Sequence, residues 1–429
     1  MRRCGLEWVG DEVREDGWRG MYARHRLDIS VGEILFGLHS CGRRLRREKL
    51  EARVLQVCTL EEEGLVCFSV RSGWDLWLCA QGLRAGDEVL VSAVTHPDMV
   101  RIIHAHGLRA VPVDIDPGTL AVRPWMLEAA LTPRTRVVLV AHLFGGRMDL
   151  GGIARFARDR GLLLVEDCAQ AFQGPKRMGD PASDVSMYSF GTLKTSTALG
   201  GAVLRVRDRE VLERMRGIQA SYPSQGRGVY LKKLLEVLGL VAVSRPRPYG
   251  LLAGASRQLG YDIDALVNGV VRGFPPHEPV ATFLRRLRQR PSAPLLAMLC
   301  RRLRTFDGKR LAKRTSTGER FLRKLRVVDL HPGRHSSRKT HWLFPVIVAD
   351  PGALVADLRR HGLDASRATS SIAAAEAPTG RASPAEASLM MSGIVFLPVY
   401  PELPSDAFDA MAGLVNDCAA RVAAERVAS

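Results

Sequence analysis

Lysine is the scarcest of the common charged residues in this chain, with nine lysines against 53 arginines among 429 residues. Arginine is a permanent cation, whereas a lysine amine can lose its proton and act as a nucleophile, so each lysine is worth locating. Cysteine is also sparse. The eight cysteines (positions 4, 41, 58, 67, 79, 168, 300 and 418) form no C-x-x-C pair and no paired metal-ligand spacing. That excludes a zinc ribbon or a disulfide-stapled scaffold and leaves an expectation of reduced, mostly buried thiols in a cytoplasmic protein. Aromatic residues make up 6% of the chain, and none interleaves the basic runs in the manner of a single-strand nucleic-acid binder. No apolar run is long enough for a membrane span. The longest, "LLEVLGLVAV" at 234–243, falls well short of the roughly 20 residues required. Basic flanks across 229–254 would permit peripheral membrane contact, but a buried helix is the preferred reading. The first residues, "MRRCGLEWVGDEVRED", turn acidic where a secretory leader needs an apolar stretch, so none is expected.

The excess charge is positive. A formal net charge of +17 invites a nucleic-acid or anionic-surface reading. The arginines are spread along the chain, however, and the clusters at 43–49, 285–290 and 301–314 belong to no recognisable nucleic-acid module. Solvated helix faces and an anionic small-molecule substrate are the preferred explanation, with no dedicated nucleic-acid binding expected.

From about residue 62 apolar strand-like runs alternate with amphipathic stretches. "GLVCFSV", "DEVLVSAV", "LRAVPVDI", "RTRVVLVAHL" and "LLLVEDCAQAF" read as strands, separated by helices that begin at "SGWDLWLCAQGL", "HPDMVRIIHAHG", "RPWMLEAAL" and "DLGGIARFARDRG". Repeated βαβ units predict a mostly parallel sheet covered on both faces, with Gly107 and Gly161 ending helices. Residues 208–315 lose this alternation and read as a helical, arginine-rich insertion. A smaller α/β pattern resumes near 340, with 367–389 read as a loop. The expected organisation is a basic N-terminal arm with helices (1–60), a large α/β domain including the insertion (61–315) and a small C-terminal α/β domain (316–429).

Ligands of open parallel sheets bind outside the carboxyl ends of the strands, and four features fall there. Ser72 and Gly73 open a predicted helix, where backbone amides favour a phosphate. Asp167 ends an apolar strand, either as a helix cap or as a carboxylate for a heteroaromatic N–H⁺. His96 follows "DEVLVSAVT", where its ring is either structural or laid against a planar group. Lys194 follows "VSMYSFGTL", with Ser189 five residues before it. Each alone is an ordinary surface or capping residue. Together they supply what pyridoxal 5′-phosphate (PLP) needs: a phosphate cradle, a stacking side chain, an acid for the pyridine nitrogen and a lysine amine.

The blocks "SGWDLWLCAQGLRAGDEVLVSAVTHPDMVRIIHAHGLRAVPVDIDPGTLAV", "TPRTRVVLVAHLFGGRMDL", "LLVEDCAQAF" and "SFGTLKTSTALGGAVL", collinear over about 65–205, resemble the DegT/DnrJ/StrS-type PLP-dependent aminotransferases of fold type I. A weaker match lies at "FLPVYPELPSDAF". The resemblance implies an aspartate-aminotransferase-like fold with Lys194 as the Schiff-base lysine and Asp167 facing the pyridine nitrogen. It further implies Gln170 near the ring hydroxyl, Ser189 at the phosphate, and Ser72, Gly73 and Trp74 as the phosphate turn. His96 stands where the family commonly places Trp or Phe over the ring. The third turn position is commonly threonine or alanine, so Trp74 removes a hydroxyl there. The segment that usually reaches the partner subunit's site has no clear counterpart, since "IQASYPSQGRGVYLKK" leads instead into the helical insertion.

By this resemblance the expected activity is transfer of an amino group from a donor, glutamate, to a ketone acceptor, foremost a nucleotide-linked keto sugar, by a cytoplasmic homodimer. Three alternatives stand beside it: dehydration by relatives carrying histidine at the lysine position, a non-catalytic paralogue binding anionic partners, and the same chemistry on a cyclitol, polyketide-derived or lipid-linked ketone.

Overall fold

The computed structural model describes residues 20–260, 278–327, 330–336, 338–367 and 372–428. Its largest sheet has seven strands: β1 (Gly64–Cys67), β2 (Glu88–Ser92), β4 (Arg109–Val113), β5 (Thr135–Ala141), β7 (Leu163–Asp167), β8 (Val185–Ser189) and β9 (Ala202–Val206). In space they run β1-β9-β8-β7-β5-β2-β4. The five strands from β4 to β8 are mutually parallel, while β9 and β1 add an antiparallel edge. The short β3 (Val94–Thr95) and β6 (Gly146–Arg147) follow β2 and β5. The valine- and leucine-rich runs are buried on both faces, as a helix-covered parallel sheet requires.

Helices α3 (Val70–Gln81) and α4 (Pro97–Ala105) cover one face, and α5 (Pro124–Ala130) and α6 (Gly151–Asp159) the other. Gly107 and Gly161 adopt φ of 71° and 63°, left-handed values that let each chain leave its helix for the next strand. The antiparallel edge is compatible with the mostly parallel sheet expected from the sequence. The predicted first strand, "GLVCFSV", ends at Cys67, because Ser69 already caps α3.

The N-terminal helices α1 (Val31–Gly42) and α2 (Arg47–Cys58) pack into the main body rather than standing off it. Ser30 and Glu33 close a reciprocal capping box at the start of α1. Beyond β9 come α7 (Arg209–Ala220), α8 (Arg227–Val243), α9 (Pro246–Gln258), α10 (Val280–Leu287), α11 (Ala293–Arg304) and α12 (Gly308–Leu322). Helix α8 buries Tyr230, Leu234 and Val237 against this layer but leaves Val229 and Leu235 exposed. No described helix is long and apolar enough to cross a membrane. Part of the arginine excess is held in ion pairs, such as Arg288 on the buried Asp75 and Arg286 on Glu278.

The C-terminal part has its own core. β11 (Phe344–Ile347) pairs antiparallel with β13 (Ile394–Leu397), α13 (Pro351–Arg360) and α15 (Ser405–Ala428) pack together over the pair, and Phe321 of α12 meets Phe344 and Phe408 edge-on. Two further short strands dock onto the large sheet's loops: β10 (Arg338–Lys339) on β6, and β12 (Ala373–Ala374) on β3. The stretch 367–389, predicted as a loop, contains β12 and the first turn of α14 (Ala385–Gly393). Helix α14 escapes the sequence pattern because its N-cap position is Pro384, which offers no side-chain acceptor. The Asp114 carboxylate instead takes the Glu386 and Ala387 amides, at 3.0 and 2.9 Å, from across the fold.

Candidate active site

Strands β7 and β8 are neighbours with Asp167 opposite Met187, so the residues that follow both strands meet at one edge of the sheet. Lys194 sits in the loop after β8, and that loop is tightly tied. Its amide donates to the Gly191 carbonyl at 3.0 Å. Phe190 O accepts from Ala198 and Gly200, and the Ser196 amide donates to Asp28 at 2.6 Å. The lysine amine lies over the Trp342 ring, 4.3 Å from its centroid, and the indole N–H donates to Leu193 O at 2.9 Å. Trp342 arrives from the C-terminal part, and the β5–β6 turn meets its segment closely. At Gly145 (φ 92°) a Cβ would stand 2.6 Å from the Trp342 amide.

Electrostatics here oppose full ionisation. Enclosure of the Lys194 amine lowers its pKa to about 8, with Asp167 opposing the shift and the Arg71 charge adding to it. Burial raises the pKa of Asp167, against the Ala169 amide, which donates to it at 2.8 Å, and the Lys194 charge. The second Asp167 carboxylate oxygen has no hydrogen-bond partner among the described residues.

Beneath the site, His142 and Glu166 form a fully buried pair at 3.0 Å. The Met148 amide donates to His142 Nδ1, which leaves Nε2–H to face Glu166. Hydrogen bonds from His142, Ser186 and the Asp180 amide hold Glu166 down at about 2 in spite of its burial. His142 N also donates to Asp167 O at 3.0 Å, so this pair braces the backbone of the acidic strand end.

Gln170 uses its side-chain oxygen to accept from the Phe144 amide at 2.8 Å, and Ser189 accepts a long 3.4 Å bond from Gly191 N. His96 caps α4: its Nδ1 accepts from the Asp98 amide at 3.1 Å, and its ring is partly exposed.

Ser72, Gly73 and Trp74 are not a turn but lie inside α3, whose N-cap is Ser69. Ser72 Oγ donates to Leu287 O at 2.7 Å, and Gly73 N is already bonded to Ser69 O. Gly73 faces β9, where a Cβ would stand 2.7 Å from the Leu204 methyls. Trp74 is fully buried, stacked on Trp77 and bonded to Met99 O. Helix geometry instead assigns the amides without intrahelical acceptors to Val70 and Arg71. The Arg71 guanidinium pairs with Asp98 at 2.6 Å. The sequence offered one clue, the serine at 69 three residues ahead of the Ser-Gly pair.

A cavity of about 60 Å³ opens beside Lys194, between Trp342 and Tyr400. It adjoins a larger one of about 470 Å³, and Arg26, Asp28, Thr195, Arg314 and Tyr400 line both. The residue types in 20–30 and 314–342 show no pattern that links them to the lysine, so sequence reasoning did not place Arg26, Arg314 or Trp342 here.

A seven-stranded, mostly parallel sheet with a small C-terminal α/β part, an acid ending one strand and a lysine following the next is the fold of the type I PLP enzymes. Within that fold, residues 42–239, just under half of the chain, match the model of the DegT/DnrJ/EryC1/StrS aminotransferase family. Among curated relatives, L-glutamine:2-deoxy-scyllo-inosose aminotransferase of Streptomyces fradiae is 38% identical over 155 residues, 35% of this chain and 36% of that one. A pleiotropic regulatory protein of Geobacillus stearothermophilus is 34% identical over 176 residues, 40% of this chain and 47% of its own. The matched segment thus spans less than half the length of these relatives. The solved structure of the aminotransferase TlmJ from Streptoalloteichus hindustanus superposes with a TM-score of 0.66 at 20% identity, over 94% of this chain and all of that one.

Proposed function

We propose that this protein is a PLP-dependent aminotransferase that moves an amino group from a donor amino acid, glutamate or glutamine, to a ketone on a polyhydroxylated ring such as a keto sugar. The observation that carries this reading is the enclosed Lys194 amine, its pKa lowered by burial, beside a buried carboxylate, Asp167, at the carboxyl edge of a parallel sheet. The residues suit the cofactor. An unpartnered Asp167 oxygen in a buried site calls for a cationic donor, which a pyridinium N–H⁺ provides. The α3 N-terminus offers amides and a dipole to a phosphate, and Arg71 adds a cation in place of the family's hydroxyl.

When bound, PLP supplies the electron sink that permits proton loss at the donor's α-carbon. Lys194 Nζ, with a pKa near the working pH, is suited to take that proton and later deliver one to the carbon of the acceptor. Asp167 would hold the ring nitrogen protonated. His96, fixed as the α4 cap, is the residue that would stack on the ring, and Trp342 limits where the lysine amine travels. Ser189 and Gln170 remain candidates for the phosphate and the ring hydroxyl. A homodimer in a cytoplasmic setting is part of the same proposal.

Absorbance of the purified protein, with and without glutamate or glutamine, tests the proposal. The wild type should show a cofactor band that a donor bleaches, and Lys194→Ala should show no donor-dependent change. A wild-type protein that neither binds PLP nor responds to a donor would overturn the reading.

A further inference from the structure

The arginines around the lysine cavity divide into committed and uncommitted groups. Arg24 is spent on the buried Asp364 in a two-pronged pair at 2.7 and 3.0 Å. Arg302 is held by Glu33, by the Asp28 carbonyl and by Thr197 O, and Arg310 pairs with Asp28 at 3.2 Å. Of the arginines, Arg26 and Arg314 line both cavities, together with the Asp28 carboxylate. Arg26 makes no hydrogen bond or ion pair with any described residue.

Arg314 is anchored by two of its three nitrogens. Nε donates to Thr340 O at 2.9 Å, and Nη1 donates to the hydroxyl of Thr195, the residue next to the lysine, at 3.1 Å. The third, Nη2, is buried without any partner. Burial, together with the neighbouring Arg310 charge and against the pull of Asp28, lowers this guanidinium to about 10. A buried cation with an idle donor is costly unless an anion completes it.

We infer, resting on the aminotransferase reading, that Arg314 and Arg26 form an oxyanion clamp for the keto acceptor, whose own carboxylate or phosphate ester they hold where the small cavity meets the large one. Two features favour the acceptor over the donor as the source of the anion. The pair borders the larger chamber, which suits the bulkier of the two substrates. Arg314 is fixed through Thr195 and Thr340, on the same short segments that carry Lys194 and Trp342, so an anion held there sets the ketone's distance from the lysine amine. Neutral keto sugars would leave Nη2 unmatched and would bind less well.

The test uses PLP-loaded wild type, Arg26→Gln, Arg314→Gln and Arg314→Lys, with each half-reaction followed in single turnover. Glutamate or glutamine probes the donor half. A keto-uronic acid and the matching neutral keto sugar probe the acceptor half, and malonate binding is followed by calorimetry. Each glutamine variant should weaken malonate and keto-uronate binding about 10- to 100-fold while leaving the donor half and the neutral sugar within about twofold. Arg314→Lys, which keeps the charge but loses the fork, should recover only part of the loss.

Loss confined to the donor half would overturn the assignment, identifying the anion as the donor's carboxylate. Equal loss for charged and neutral acceptors would also overturn it, leaving Arg314 a purely structural residue. Arg26 lies at the surface and braces nothing described, so its variant reads the proposal even if Arg314→Gln fails to fold. Malonate binding that depends on both arginines, in a protein that no donor bleaches, would uphold the anion site and overturn the aminotransferase reading instead.

Discussion

Lys194 and Asp167 bend each other's chemistry, and the directions are measurable. An ordinary lysine stays protonated to about pH 10.4, whereas enclosure brings Lys194 to about 8. The rate at which cofactor-free protein captures PLP should therefore rise with pH to half its maximum near 8; a midpoint above 10 would contradict the enclosure. Stability follows with the same sign. Between pH 8 and 10.5 the unfolded chain binds the proton that the folded lysine has released, so the unloaded protein gains stability as pH rises through that window. Lys194→Met should flatten this dependence in denaturant titrations. On the proposed role of Asp167 as the partner of the ring N–H⁺, Asp167→Asn should lower turnover by more than about a hundredfold with the cofactor still bound. Retained turnover would reduce Asp167 to a cap for Ala169.

Much of the element order was legible in the sequence, because the parallel strands are continuous apolar runs and Gly107 and Gly161 mark helix ends. Helix starts were less so. The Ser72-Gly73 pair looks like a phosphate turn, yet Ser69 captures the Ser72 amide and begins α3 a turn earlier, which turns Gly73 into a packing residue against Leu204. Two substitutions separate these roles. Gly73→Ala should cost about 1–3 kcal/mol of stability by overpacking, with unchanged cofactor affinity. Arg71→Ala should weaken PLP binding about tenfold, the worth of one charge-assisted contact. Equal effects on affinity would restore the original turn. The α14 start was illegible for a different reason, since its cap is non-local. Asp114→Ala should cost about 1 kcal/mol in a denaturant titration although residue 114 lies some 270 positions from the helix.

At the scale of the molecule, the site is completed by segments far apart in the chain, which no local pattern announces. Residues 20–28 run beside the C-terminal part, where Tyr22 exchanges backbone bonds with Gly362 and Asp364. There the fully buried Asp364 collects Arg24, the Tyr249 hydroxyl at 2.5 Å and Arg359. This one carboxylate joins the N-terminal segment, the inserted helices and the small core. Asp364→Ala leaves Arg24 buried and unmatched and should cost about 3–5 kcal/mol. The loss should appear as a lowered urea midpoint, accompanied by faster proteolysis ahead of α1. An unchanged midpoint would mean that the three parts are held together by their apolar faces alone.

The indole of Trp342 under the lysine amine has an optical consequence. A ring attached at Lys194 would lie against the one tryptophan contributed from the C-terminal half of the described chain, close enough for near-complete energy transfer from indole to cofactor. Trp74 and Trp77, stacked in the interior on α3, form a separate emitting pair. The emission lost on loading, and absent in Trp342→Phe, would then report in real time how the C-terminal part sits over the lysine during each turnover, without any added dye.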